Sequence, residues 1–111
     1  MGTATAAEAS YIPTPQGSGD HIGKIALVDI TMSASYATGG DTVDLSAIFP
    51  NSVRAGVMSG YVATYWAELV VAASDAPATA KIIAMARSDD AQVAATTDLS
   101  AVVFSFQIWG S

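Results

Sequence analysis

From Leu99 to Trp109 the chain alternates in steps of two. Val102, Phe104, Phe106 and Ile108 fall on one side, and Ala101, Val103, Ser105, Gln107 and Trp109 on the other. A period of two is the signature of a half-buried strand. Burying the four large residues of the first set would contribute roughly 1.5–3 kcal/mol each. A second strand is predicted from Lys24 to Ser33, with Ala26, Val28, Ile30 and Met32 on one face. Its other face begins apolar at Ile25 and Leu27 and turns polar at Asp29 and Thr31, so burial on both faces is expected at its start.

The pattern continues in shorter pieces. Ser52–Met58 reads as a strand with Val53, Ala55 and Val57 on one side, and Ser59-Gly60 as a hairpin turn into a long strand over Tyr61–Val71. Ala80–Ala86 reads as a strand with Ile82 and Ala84 on one face. A polar loop follows over Ser88–Asp98, with a short turn or strand near Gln92–Ala95. Gly39-Gly40 marks a turn that needs positive φ, and Asp44 is placed to cap one helical turn over Leu45–Phe49. No internal repeat is found. Short strands separated by turn signals, without a long helix, predict an all-β fold: a small antiparallel β-sandwich or jelly-roll-like barrel.

Residues 1–22 lack this amplitude. They begin with small residues and run through Tyr11-Ile12-Pro13-Thr14-Pro15 into Gly17-Ser18-Gly19. The prolines favour extended backbone and the glycines a pliant one. The expectation is an extended N-terminal arm over 1–22, dispensable for folding, beside a single domain over 23–111. Tyr11, Ile12 and Pro13 are its candidate contacts with a neighbouring protein. Trp109, on the mixed face of the last strand, is the fourth candidate interface residue, because an amphipathic ring suits such a position.

Composition narrows the function. With 111 residues, folding buries roughly 65% of the unfolded chain's surface, enough for one domain. Charged residues are only 13% of the chain, against about 25% in ordinary soluble domains, which points to surface covered by a partner. A net charge of −6, with Lys24, Arg54, Lys81 and Arg87 scattered, disfavours nucleic acid and anionic membranes. There is no cysteine, hence no disulfide frame or thiolate zinc site. No run approaches the roughly 18 apolar residues of a membrane span. The single His21 neighbours Asp20 but has no rigid nucleophile beside it. Asp89-Asp90 read as a solvated loop, and Asp41 with Asp44 lack a calcium-loop pattern. No catalytic, cofactor or metal residue is assigned, and an enzyme is not expected.

Three segments resemble one family: Val28-Asp29-Ile30-Thr31-Met32-Ser33-Ala34-Ser35-Tyr36-Ala37-Thr38-Gly39-Gly40-Asp41, then Val43-Asp44-Leu45-Ser46, and the ending from Ala95-Thr96-Thr97-Asp98-Leu99-Ser100 to Gly110. They are similar to the capsid decoration, or cement, proteins that stabilise the heads of tailed bacteriophages. The likeness covers residues 24–45 and 95–110, and the Ala-rich stretch Tyr65–Ala73 departs from it. The resemblance implies a β-sandwich or jelly-roll-like body on the capsid exterior, made in the host cytoplasm and bound to the major capsid protein as a trimer. It brings no catalytic residue and no cofactor. Two other readings stand beside it: a carbohydrate-binding or adhesin module using Tyr65, Trp66 or Trp109 as a platform, and a tail or fibre subunit.

Overall fold

In the computed structural model the described residues are 2–13, 24–71 and 76–111, with side chains described outside 9–13. Asp20, His21, Gly17–Gly19 and the start of the Ser74–Thr79 turn lie outside them. The described residues form eight strands and no α-helix: β1 (Thr3–Pro13), β2 (Lys24–Thr31), β3 (Asp41–Val43), β4 (Val53–Met58), β5 (Tyr65–Val70), β6 (Ala80–Ala86), β7 (Ala91–Gln92) and β8 (Val103–Gly110), with a 3-10 turn at Pro77–Thr79. The sheet runs β4-β8-β2-β1-β3-β6-β5, and β7 adds to β6. Its two ends come together where Leu69 of β5 lies over Gly56 of β4, so close that a Cβ on Gly56 would sit 2.6 Å from the leucine Cδ2. The result is a nearly closed barrel. It is mixed rather than antiparallel, because β1 runs parallel to β3 while every other pair is antiparallel.

The alternation of β2 and β8 places the core as their sequence requires. Ala26, Val28 and Ile30 of β2 and Phe104, Phe106 and Ile108 of β8 are fully buried. They meet in register, Ile30 opposite Phe104, Val28 opposite Phe106 and Ala26 opposite Ile108. From the far wall Ile82 and Ala84 of β6 and Val43 of β3 complete the core, with Leu45, Phe49 and Leu99 closing it from the loops.

Three expectations change. First, Thr3–Pro13 of the expected arm is a strand inside the sheet, paired with β2 through eight residue pairs and with β3 through Thr3–Thr42 and Ala4–Val43. Small residues alternating with small residues give almost no amphipathic signal, although Ala4 is buried. Second, β4 and β5 do not form a hairpin, and Tyr61–Thr64 is loop, not strand. Arg87 explains why: its Nε donates to the carbonyls of Val62 at 2.7 Å and Tyr65 at 3.1 Å, and its amide donates to Thr64 O at 3.0 Å. The loop is thus held against β6 instead of folding back on β4. Third, a bulge at Arg54 breaks the β4 alternation, so Val53 is buried while Ala55 and Val57 face outward.

The loop from Met32 to Gly40 is organised from within. Asp41 is buried, and its carboxylate accepts the amides of Ser33 at 3.1 Å and Ala37 at 3.0 Å. Gly2 packs against that carboxylate, where a Cβ would lie within bonding distance of Oδ1. Gly40 turns the chain at φ 110°, pressed on Ile82 O, which a Cβ would approach to 2.9 Å. Tyr36 reaches across the core, where its hydroxyl accepts the Ala84 amide at 3.0 Å. Burial, with a further contribution from the charge of Asp41, raises its phenol above the ordinary tyrosine value.

One short repeat is visible once the loops are in place. Asp-Leu-Ser-Ala occurs at 44–47 and again at 98–101, which corrects the reading that no repeat exists. Both copies do the same job. Each Leu is buried, and each Asp Oδ1 accepts the Ser hydroxyl at 2.6 Å and the Ser amide at 2.9 Å. The Ser hydroxyl first, then its amide, holds both carboxyls below the ordinary carboxylate value. A depressed folded pKa means that this stabilisation is fully present above the unfolded value and is lost as pH falls through the folded one. The double variant Asp44→Asn/Asp98→Asn is therefore expected to show a flatter loss of urea midpoint below about pH 5 than the parent. Parallel acid limbs in the two titrations would contradict this.

Candidate protein-docking face

The residues that alternate with the core on β2, β8 and β4 define the outer face of one wall. The register aligns them in cross-strand rows. Ile25, Trp109 and Ala55 form one row, and Leu27, Gln107 and Val57 the next. Towards the other end Asp29 stands beside Ser105, whose hydroxyl donates to it at 2.8 Å, and Thr31 beside Val103. Leu27 and Val57, on either side of Gln107, are 42% and 52% exposed, and Val103, beyond the Asp29–Ser105 row, is 44% exposed. Ile25 and Trp109 are half-buried. The expected burial of β2 on both faces thus becomes burial on one face, with an apolar second face left open.

In backbone position the four interface candidates fall at one end of the β1–β2–β8 ladder. In backbone register Ile12 stands opposite Ile25, which stands opposite Trp109, so two of the candidates end one strand apart. Pro13 stands opposite Lys24, which stands opposite Gly110, and Tyr11 opposite the core position Ala26. The side chains of Tyr11, Ile12 and Pro13 lie outside the description. Leu27 and Val57 were not singled out in the sequence. The clue for Leu27 was an apolar residue on the wrong parity, but Val57 depends on the bulge at Arg54, which the sequence does not announce.

Lys24 closes the lower edge. Its ammonium pairs with Glu8 of β1 at 3.0 Å, donates to Ile48 O at 3.1 Å and lies 5.7 Å from the Phe49 ring centroid. This ties β1, β2 and the 45–49 turn into one unit, so the apolar rows sit on a stiff support. The opposite wall differs. There Glu68 stands across from Ile83, Lys81 across from Val70, and Trp66 Nε1 is 3.4 Å from Asp90 Oδ1. Trp66 is half-buried and engaged, so it is not a free platform.

Chemistry is sparse elsewhere. Where β4 meets β5 an open cavity of about 230 Å³ is lined by Met58, Leu69 and Phe106, with Glu68 at its side. Asp41 accepts the loop amides of Ser33 and Ala37, and Asp44 accepts the Ser46 amide and hydroxyl, so both turn carboxylates are engaged within the chain. Among the described residues no three His, Cys, Asp or Glu side chains gather as metal ligands, and no helix is long and apolar enough to cross a membrane. No family model, curated protein or solved structure matches the chain.

Proposed function

We propose that this chain is a structural protein of a tailed-phage head that binds the outside of the capsid and bridges capsomers, without catalysis or cofactor. The observation that carries this reading is the solvent-facing apolar rows of β2, β8 and β4. An exposed face of that kind on a low-charge barrel is suited to close packing against protein. The two main segments that resemble decoration proteins also lie side by side. β2 pairs with β8 along its whole length, the Tyr36 amide donates to Thr97 O, and the Thr96 amide donates to Tyr36 O. They form a common scaffold beneath the face. The jelly-roll-like form of that family's body, its trimeric state and its place on the virion exterior are parts of the same proposal.

A structural cement acts through area and repetition. Each copy contributes a modest interface, and many copies on one lattice add to the stability of the shell. The test is sedimentation of the purified protein with empty heads built from the major capsid protein. Saturable co-pelleting with tailless heads is the expected result. Binding to tails alone would move the protein to a tail or fibre.

One observation favours a carbohydrate-binding module as the second reading. Tyr61 is 77% exposed, and the Arg87 guanidinium lies 4.7 Å from its ring centroid, a fixed aromatic plate beside charged groups. Trp66 and Trp109, the rings the sequence offers as a platform, are half-buried. Specific signal on a glycan array, abolished by Tyr61→Ala, would favour this reading over the capsid.

A further inference from the structure

We propose that β1 is an exchangeable strand, which occupies the slot between β2 and β3 either in its own barrel or in that of a second copy of this chain. Four features lead there. β1 ends at Pro13 and β2 begins at Lys24, so ten residues join two antiparallel neighbours. Strands paired in this way ordinarily need only two to five. A ten-residue link can reach roughly 33 Å, while the barrel's two shorter dimensions are 25 and 20 Å. The neighbour's slot is within that reach when two copies pack side by side.

The slot recognises β1 by backbone and by smallness. It offers antiparallel pairing to β2 and parallel pairing to β3. At its closed end Gly2 lies on the Asp41 carboxylate with no room for a side chain, and the Thr42 amide donates to Gly2 O at 3.2 Å. Ala4 fills the next core position. A strand anchored by Gly and Ala removes little apolar side chain from the core when it leaves. What it loses in one barrel it regains in the next, since the two slots are identical.

Concentration then decides which slot is filled. A Gly/Ser-containing link of this length holds β1 at an effective concentration of millimolar order. In dilute solution each strand stays at home. Copies seated next to one another present a second slot at a similar effective concentration, and exchange would link them by continuous β-sheet. That neighbours meet on a shell rests on the capsid reading, but exchange in solution does not.

Two differently tagged full-length variants test this. Thr5 and Thr31 are register partners with exposed side chains, so entry of β1 of a Thr5→Cys chain into the slot of a Thr31→Cys chain favours their mixed disulfide over the background of random encounters. A Leu27→Cys chain, whose register partner is Ser10, is the control. Each pair is unfolded together, refolded across a concentration series and oxidised. The mixed Thr5–Thr31 dimer should be scarce at micromolar protein and approach about a quarter of the chains near about 1 mM, with the Leu27 control staying far lower. Absence of the mixed dimer at the highest concentration, or equal yield with the control, would overturn the proposal. Neither result depends on whether the protein binds heads.

Discussion

A chain lacking residues 2–13 is expected to lose cooperative folding. In the strand order β1 is the only hydrogen-bonded join, among the described residues, between β4-β8-β2 on one side and β3-β6-β5 on the other. The far ends of the sheet, β4 and β5, touch through side chains but do not pair. Removing β1 therefore ends strand pairing between the two halves, leaving core packing and the loop hydrogen bonds of Asp41 and Tyr36 to hold them. It also uncovers the edges of β2 and β3, exposes the buried Asp41 carboxylate and removes Glu8 from Lys24. Each backbone hydrogen bond contributes about 0.5–1.5 kcal/mol, and eight residue pairs with β2 disappear together. That sum is comparable with the whole stability of a domain, about 5–15 kcal/mol. Near-UV circular dichroism and urea unfolding measure it. The truncated chain should show weak tryptophan signal and a broad, shallow transition. A sharp transition at the full-length midpoint would mean that β1 is the dispensable arm its composition suggested.

Phe104→Ala is expected to cost about 3–5 kcal/mol. Phe104 is fully buried near the start of β8, opposite Ile30 and next to the layer of Phe106 and Val28. Backbone pairing to β2 runs past this position on both sides along the strand, so the wall resists closing over the vacated ring, and most of the cavity persists. Val103→Ala, one residue away but facing water, is expected to stay within about 0.5 kcal/mol. The urea midpoints of the two variants give the comparison. Equal midpoints would show that the inward face of β8 is misassigned.

These two expectations also mark what the sequence discloses. β2 and β8 carry their large apolar residues mainly on one parity, and their core faces follow directly, whereas β6 has Ile82 on the buried parity and Ile83 and Met85 on the other. Gly39-Gly40 announces its turn because only glycine takes φ 90° and 110° without strain. β1 is silent because Thr, Ala and Gly have too little side chain to show which face is buried; its place is set by backbone pairing to residues far along the chain. The false hairpin at Ser59-Gly60 has a similar cause, since the competing partner, Arg87, is more than twenty residues away. Asp41 reads as a turn acid, and only the folded loop shows it buried under Gly2. For the docking face, Trp109 is legible as an amphipathic ring on a mixed face. Leu27 is half-legible, and Val57 is hidden by the bulge that reverses its side of β4.

The face itself is open to one decisive measurement: the affinity for empty heads of the parent, of Leu27→Glu/Val57→Glu, and of Val70→Glu. Val70 is 44% exposed on the opposite wall, so its variant adds a carboxylate outside the proposed contact. Two carboxylates buried among the apolar rows should cost at least about 2 kcal/mol, a loss of roughly 30-fold, with the urea midpoint of the folded protein nearly unchanged. Val70→Glu should bind like the parent. Undiminished binding by the double variant, or an equal loss with Val70→Glu, would contradict a docking role for the β2–β8–β4 wall.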